Sequence, residues 1–291
     1  MSALFGKFFK KRREKSRAVM QLSRLDTLRY VVEKGCSVAR FGDGEMHFAL
    51  HGLRRGFEGI HFQRPDPLLA LQLRKILDES IEGLLVCYNN HFMQEDYHRV
   101  VLDYERNPRK EYSEYLSLRR ERDTGVLERK RQRRVYRRQF ETVQKSTTWG
   151  LFGDSTLFAI GFFVEEYCAD RMLEVCDLYR KLIERRKILI VAPERPVLGD
   201  SFRRLHKQGL IRSAERVDFI SIPEADCFQN YEDILKRIKS FQNIDTVFIQ
   251  AGPTATVMAA ELAGCHGITA YDVGTWNVSL QKAAKVHGIN F

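Results

Sequence analysis

The chain is predicted to be an α/β protein, a mostly parallel sheet with helices on both faces and an Arg-rich helical insertion. Three observations predict this. Short β-rich runs alternate four times with helical patterns between residues 187 and 285, which is the signature of parallel strands joined by crossover helices. The first of those runs, residues 187–192, is a continuous apolar stretch of the kind buried on both faces of a parallel sheet. Residues 110–145 are polar and dense in arginine, with few apolar positions, so they read as one or two exposed helices projecting from the sheet.

The elements follow in order. Leu25, Leu28 and Val32 recur at helical spacing, and Gly35 stops that helix. Residues 37–41 form a strand broken by Gly42-Asp43-Gly44. A helix over 67–79 starts on Pro67, and residues 84–88 are the next strand. A helix over 168–186 is expected to bury Met172, Leu173, Val175, Leu178 and Leu182. After the strand at 187–192, a turn through Pro193, Pro196 and Gly199 leads to a helix from Asp200. Residues 216–222 form a strand and about 230–241 a helix. Residues 245–250 are a strand whose turn, Ala251-Gly252-Pro253-Thr254, opens a helix carrying Val257, Met258 and Leu262 and ending near Gly264. Residues 268–274 are the last strand, before a helix near 276–285. With no internal repeat and no Ser/Gly linker, residues 21–291 read as a single domain with the insertion at about 105–145, preceded by a basic tail over 1–20.

Composition narrows the function classes. With 291 residues, 44% hydrophobic and 11% aromatic, the chain can fill a substantial core. No run approaches the ~20 apolar residues of a membrane-spanning helix. The first residues place their charges after a few apolar residues, the reverse of a secretory signal, so a cytoplasmic protein is expected. Six cysteines with no CxxC pair are expected to be reduced and mostly buried. The net charge of +10 is concentrated in residues 1–20 and 105–145, which leaves the rest of the chain slightly acidic. A nucleic-acid binder would more often spread such charge over its fold and pair it with aromatics. Residues 119–138 hold only Tyr136, so no nucleic-acid partner is expected. The competing reading is a basic nucleotide- or nucleic-acid-binding α/β protein without transferase activity.

Ligands of open α/β sheets bind beyond the carboxyl ends of the strands, and four segments put unusual polar residues there. In Arg40-Phe41-Gly42-Asp43-Gly44-Glu45, carboxylates two apart on one turn can share a hard cation with a ligand's phosphate oxygens. The glycines would allow close approach and positive φ; alternatively, Asp43 simply caps the following helix. Gly252-Pro253-Thr254 opens a helix directly after a strand. Its N–H groups and the Thr254 hydroxyl could hold a phosphate or ribose, or form an ordinary N-terminal turn. Asp200 and Asp272 stand where they could contact a ligand or satisfy a cap and a loop. His47 and His51 are four apart, but no third residue has convincing zinc spacing. The absence of GxGxxG, Walker A and Gly-x-Ser-x-Gly patterns disfavours dehydrogenase, P-loop and hydrolase readings.

Taken in order, residues 37–45, Gly199-Asp200-Ser201-Phe202, Gly252-Pro253-Thr254-Ala255 and Ala270-Tyr271-Asp272-Val273-Gly274 resemble the GT-D type glycosyltransferases. That resemblance implies a Rossmann-like core, a nucleoside-diphosphate sugar donor (UDP-glucose being the best-known type) and Mn²⁺ or Mg²⁺. It makes Asp43 and Glu45 the catalytic metal and diphosphate residues. Arg40, Gly42, Gly44, Asp200, Gly252, Pro253, Thr254 and Asp272 become candidates for the donor pocket. The implied acceptor is a glycan, glycoprotein or lipid-linked saccharide, and residues 1–20 would suit peripheral contact with an anionic membrane. The chain departs from the family pattern at Thr148-Trp149-Gly150, where an Arg-Pro-Tyr segment is expected, and at Thr275, where a histidine is. The general base is open among Glu58, His47 and Asp154.

Overall fold

The computed structural model describes residues 20–60, 62–88, 151–159, 169–193 and 213–276. The chain divides into two compact units, Met1–Tyr88 with Thr148–Phe291, and Asn89–Thr147; the described residues belong to the first. The tail at 1–19, the Arg-rich stretch at 105–145, the helix expected from Asp200 and the last helix beyond Trp276 lie outside the described residues.

The elements are β1 (Met20–Gln21), α1 (Arg24–Lys34), β2 (Ser37–Phe41), α2 (Asp43–His51), α3 (Pro67–Asp78), β3 (Leu84–Tyr88), β4 (Leu151–Asp154), α4 (Ala169–Ile183), β5 (Lys187–Pro193), β6 (Arg216–Ile222), a 3₁₀ turn (Cys227–Asn230), α5 (Tyr231–Ser240), β7 (Thr246–Ile249), α6 (Pro253–His266) and β8 (Thr269–Asp272). Seven strands make the main sheet in the order β4-β3-β2-β8-β7-β5-β6, and the two-residue β1 extends its β4 edge. Every strand pair is parallel. A parallel sheet needs cover on both faces, and strand alternation shows that it has it. Val38, Leu85, Cys87, Ile188, Ile190, Phe248 and Tyr271 join α1 and α4 in one core cluster. Their neighbours of opposite parity, Ala39, Val86, Leu189, Val191, Val247, Ile249 and Ala270, are also buried. On that second side α2, α3 and α6 pack on one another, and α6 lies against β2 and β8.

Local signals explain the helix boundaries. Ser23 caps α1, accepting a hydrogen bond from Asp26 N–H, and Gly35 ends it in the left-handed conformation. Asp66 caps α3 by accepting from the N–H groups of Leu68 and Leu69, with Pro67 in the first turn. Two helical expectations need correction. Leu173 was expected in the core and is 67% exposed. The inward stripe of α4 is Met172, Val175, Cys176, Tyr179, Leu182 and Ile183, and an apolar residue one step from that stripe lands on the solvent side. The helix α6 runs to His266 rather than stopping near Gly264, and every residue from Pro253 to Leu262 is buried. A helix enclosed on all sides needs no single apolar stripe.

One aromatic cluster locks the first core. Phe158, Tyr179, Phe248, Tyr271 and Trp276 meet ring to ring at 5.2–6.5 Å, and the Tyr179 hydroxyl donates to the Leu157 carbonyl. Gly153 in β4 is pressed between layers. A Cβ there would stand 2.6 Å from Cys87 Sγ and 2.6 Å from Thr27 Cγ2. We expect Gly153→Ala to lower the unfolding free energy by about 1–3 kcal/mol through overpacking, measured by urea denaturation; an unchanged midpoint would contradict the packing described here.

Candidate functional site

Three adjacent parallel strands, β2, β8 and β7, bring the sequence motifs to one edge of the sheet. Beyond β2 comes the Gly42–Glu45 turn, beyond β8 the segment Asp272-Val273-Gly274, and beyond β7 the turn at Gly252. Two of these ends open helices, so the positive poles of α2 and α6 flank the end of β8. Arg40, Glu45, Gly252 and Asp272 therefore share one edge, as their order in the chain implied. Asp200 lies outside the described residues.

Arg40 is the hub of this edge. Its Nε donates to the Ser155 carbonyl at 2.5 Å, and its Nη1 stands 3.8 Å from Asp272 Oδ1. Its own carbonyl lies 3.0 Å from the Thr256 hydroxyl, which is also 2.9 Å from Asp272 Oδ2. Asp272 Oδ1 accepts from the Gly274 N–H at 3.2 Å. The carboxyl is 4% exposed. Burial pushes its pKa above the ordinary value, opposed by the Arg40 charge, the Thr256 hydroxyl and the backbone N–H donors. Asp272 thus ties β8 to β2 and α6. Gly274 has φ +50, and a Cβ there would strike Arg40 Nη1 at 2.0 Å.

The turn after β2 is a helix start. Gly42 is the N-cap of α2 and Asp43 its first residue, so Asp43 is not the cap. Glu45 Oε2 accepts from the Gly42 N–H at 3.0 Å, the return half of a capping box. Positive φ was expected of these glycines. Gly42 has φ −78, and Gly44 is not among the positive-φ residues. What favours glycine at 44 is Ile60, whose Cδ1 lies 3.0 Å from where a Cβ would be.

At the other helix start, Gly252 has φ +55, and a Cβ would meet a ring carbon of Phe62 at 2.3 Å. Glycine is required there on both counts. Pro253 begins α6 as expected. Thr254 is fully buried, and its hydroxyl has no hydrogen-bond partner among the described residues, so it sits inside the helix packing rather than at the edge. The residue four after Gly252, Thr256, is the one that reaches the Arg40–Asp272 pair.

The loop carrying Ile60 and Phe62 gave no motif in the sequence. It is held by a clamp to the segment after β6. Asp226 N–H donates to the Phe62 carbonyl at 2.9 Å, and the Asp226 carboxyl accepts from Arg64 N and Arg64 Nε, both at 2.7 Å. The Arg64 N–H first, and then its guanidinium, hold that carboxyl below its usual range. Ile60 and Gln63 also exchange backbone hydrogen bonds.

Of the residues left open as general base, Asp154 is buried and accepts from Thr156 N at 2.8 Å and Thr156 Oγ1 at 2.6 Å. His47 is exposed, with its ring 5.2 Å from those of His51 and Phe57, and Glu58 is exposed. Thr275, where a histidine was expected from the family pattern, is exposed as well. Cys36, Cys87, Cys176, Cys227 and Cys265 are free thiols, and burial raises Cys36 and Cys227 to about 11. Among the described residues no three His, Cys, Asp or Glu side chains group to hold a metal. No helix there is long and apolar enough to cross a membrane.

Fold and edge together define a parallel α/β protein in which the starts of α2 and α6 flank the end of β8. The family model for the glycosyltransferase GT-D fold matches residues 38–282, and the chain belongs to that family. A curated relative, the probable glycosyl transferase Gly of Streptococcus gordonii, is 40% identical over 77 residues, which are 26% of this chain and 10% of the relative. The chain therefore spans about a tenth of that relative's length. Among solved structures, a new glycosyltransferase (DUF1792) from Streptococcus sanguinis superposes with TM-score 0.63 at 21% identity, covering 92% of this chain and 85% of the other. The structure of the highly conserved domain of unknown function 1792, described as a distinct glycosyltransferase fold, gives 0.65 at 21% identity, covering 93% and 82%.

The buried Asp272 makes stability depend on pH. Its folded pKa lies above the ordinary 3.8, so the folded state holds this proton more tightly than the unfolded chain. Stability from this group is complete below 3.8 and is lost as pH rises through the folded value. Urea unfolding of the parent and Asp272→Asn between pH 3.5 and 7 should show the parent losing ground to the variant as pH rises. A constant difference would remove Asp272 as the titrating group.

Proposed function

We propose that this protein transfers a hexose from a nucleoside-diphosphate sugar, a UDP-sugar such as UDP-glucose, to a glycan or glycoconjugate acceptor. The observation that carries the reading is the edge where two helix N-termini flank Asp272, with Glu45 in the first turn of one of them. N–H groups and helix dipoles at such ends favour an anion, and the donor's diphosphate is one. Family membership supports the reaction class.

The residues present fit a hard divalent cation of the Mn²⁺ or Mg²⁺ type. Asp43 and Glu45 are carboxylate residues two apart at the start of α2, and such cations commonly take one or two carboxylates and complete their shell with substrate phosphates. When bound, the cation would offset the negative charge that develops on the departing diphosphate. The chain's own groups act around it. Glu45 holds the Gly42 N–H and thereby the shape of the turn, while Arg40 and Asp272 hold the floor between the two helix starts. Asp200 is proposed to add to the donor pocket. The acceptor would be a glycan, glycoprotein or lipid-linked saccharide, and residues 1–20 would bring the enzyme to an anionic membrane surface from the cytoplasmic side.

Glu45→Gln separates the two roles of that side chain, because glutamine also serves in a capping box. Release of UDP from UDP-sugars in the presence of Mn²⁺ should fall about a hundredfold in Glu45→Gln and in Asp43→Asn, the scale of losing one electrostatic stabiliser of a leaving group. The thermal midpoint of Glu45→Gln should stay at the parent value. Undiminished turnover in both variants would refute the metal and diphosphate role.

A further inference from the structure

The side chains of one loop sit on both glycine turns of the candidate donor site. Ile60 covers Gly44 at the start of α2, and the ring of Phe62 rests on Gly252 at the start of α6. The space that glycine leaves at 252 is therefore filled by an aromatic edge from the same chain. Phe62 nevertheless remains 45% exposed, at the edge of the sheet where ligands of this fold class bind.

Its backbone is held on both sides. The Phe62 carbonyl accepts from Asp226 N–H, Arg64 grips the Asp226 carboxyl through two hydrogen bonds at 2.7 Å, and Ile60 and Gln63 close the loop upon itself. Asp226 adopts φ 55, unusual for a residue other than glycine, at the centre of this clamp. A half-exposed ring, pinned in place beside two anion-favouring helix starts, is a pre-formed flat surface. It loses little conformational freedom when a second flat group lies on it. Nucleobases are such groups, and stacking on an aromatic side chain tolerates any base because each has a π face.

We infer that Phe62 is the stacking platform for the base of the donor nucleotide, with the diphosphate held between the starts of α2 and α6. Phe62 is then a binding residue that sets preference for a nucleotide over a bare diphosphate. This assignment rests on the donor site proposed above and adds the nucleoside subsite to it. The contact is noncovalent, and no proton or bond moves at Phe62.

Calorimetric titration of the full chain with UDP and, separately, with inorganic pyrophosphate, both with Mn²⁺, tests the assignment. Phe62→Ala should weaken UDP binding about tenfold or more, as expected for loss of one base–aromatic stack, and leave pyrophosphate binding within about twofold of the parent. Phe62→Tyr should retain UDP binding. Phe62→Trp should also retain it, and UDP should quench the fluorescence added by the new indole where pyrophosphate does not. Unchanged UDP affinity in Phe62→Ala overturns the platform, as does equal weakening of UDP and pyrophosphate, which would mean that the ring only supports the Gly252 turn. A parent protein that binds pyrophosphate but gains nothing from the uridine overturns the platform while sparing the diphosphate site. A parent that binds neither overturns the donor site itself, and the platform with it.

Discussion

A partly exposed arginine facing a buried carboxylate ties together the sheet edge that carries the candidate site. Arg40 reaches from the end of β2 to the Ser155 carbonyl after β4 on one side and to Asp272 at the end of β8 on the other. Thr256 brings α6 into the same arrangement. An ion pair of this kind contributes less to net stability than its Coulomb attraction suggests, because both groups lose water. Its larger effect is positional. Breaking it leaves the buried Asp272 without its cationic neighbour, so the pair favours one relative arrangement of the strand ends and the start of α6. The two helix starts inherit their spacing from it.

The glycines of the edge illustrate a second constraint. A glycine between acidic residues suggests room for a ligand's phosphates, which is how Gly44 reads in the sequence, and Gly252 reads as part of a helix start whose N–H groups could hold one. In the folded chain both are approached by the protein itself, by Ile60 and by Phe62. The small residue makes space for a crossing loop, and the loop in turn carries an aromatic ring to the site. Removing a side chain at one position to admit another from far along the chain is a packing solution, and here it leaves the incoming ring half in solvent.

Much of the fold was legible because it rests on local patterns. Continuous β-rich runs, Pro67 at a helix start and the Gly35 stop all act over a few residues, and each element they mark is present. Misreadings arose where burial depends on neighbours. Leu173 is apolar but lies one step off the inward stripe of α4. Thr254 occupies the second position of a helix that is enclosed on every side, so its hydroxyl points to no open edge. The alternative in which Asp43 caps the helix does not hold, because Gly42 takes that position and Glu45 supplies the capping carboxylate.

The amino-acid order alone determined the strand and helix alternation, the parallel sheet and the grouping of Arg40, Glu45, Gly252 and Asp272 at one edge. Those features follow from periodicity and from the rule that the turns after parallel strands share a side. Tertiary structure alone decided which polar groups are consumed by the fold and which stay at the open edge. It bound Asp272 to Arg40 and Thr256, withdrew Thr254 into the packing of α6, and carried Phe62 from a loop without a motif to the start of that helix. The physical reason is that hydrogen-bond satisfaction and close packing are settled between residues distant in sequence, as with Arg40 and Asp272 or Phe62 and Gly252.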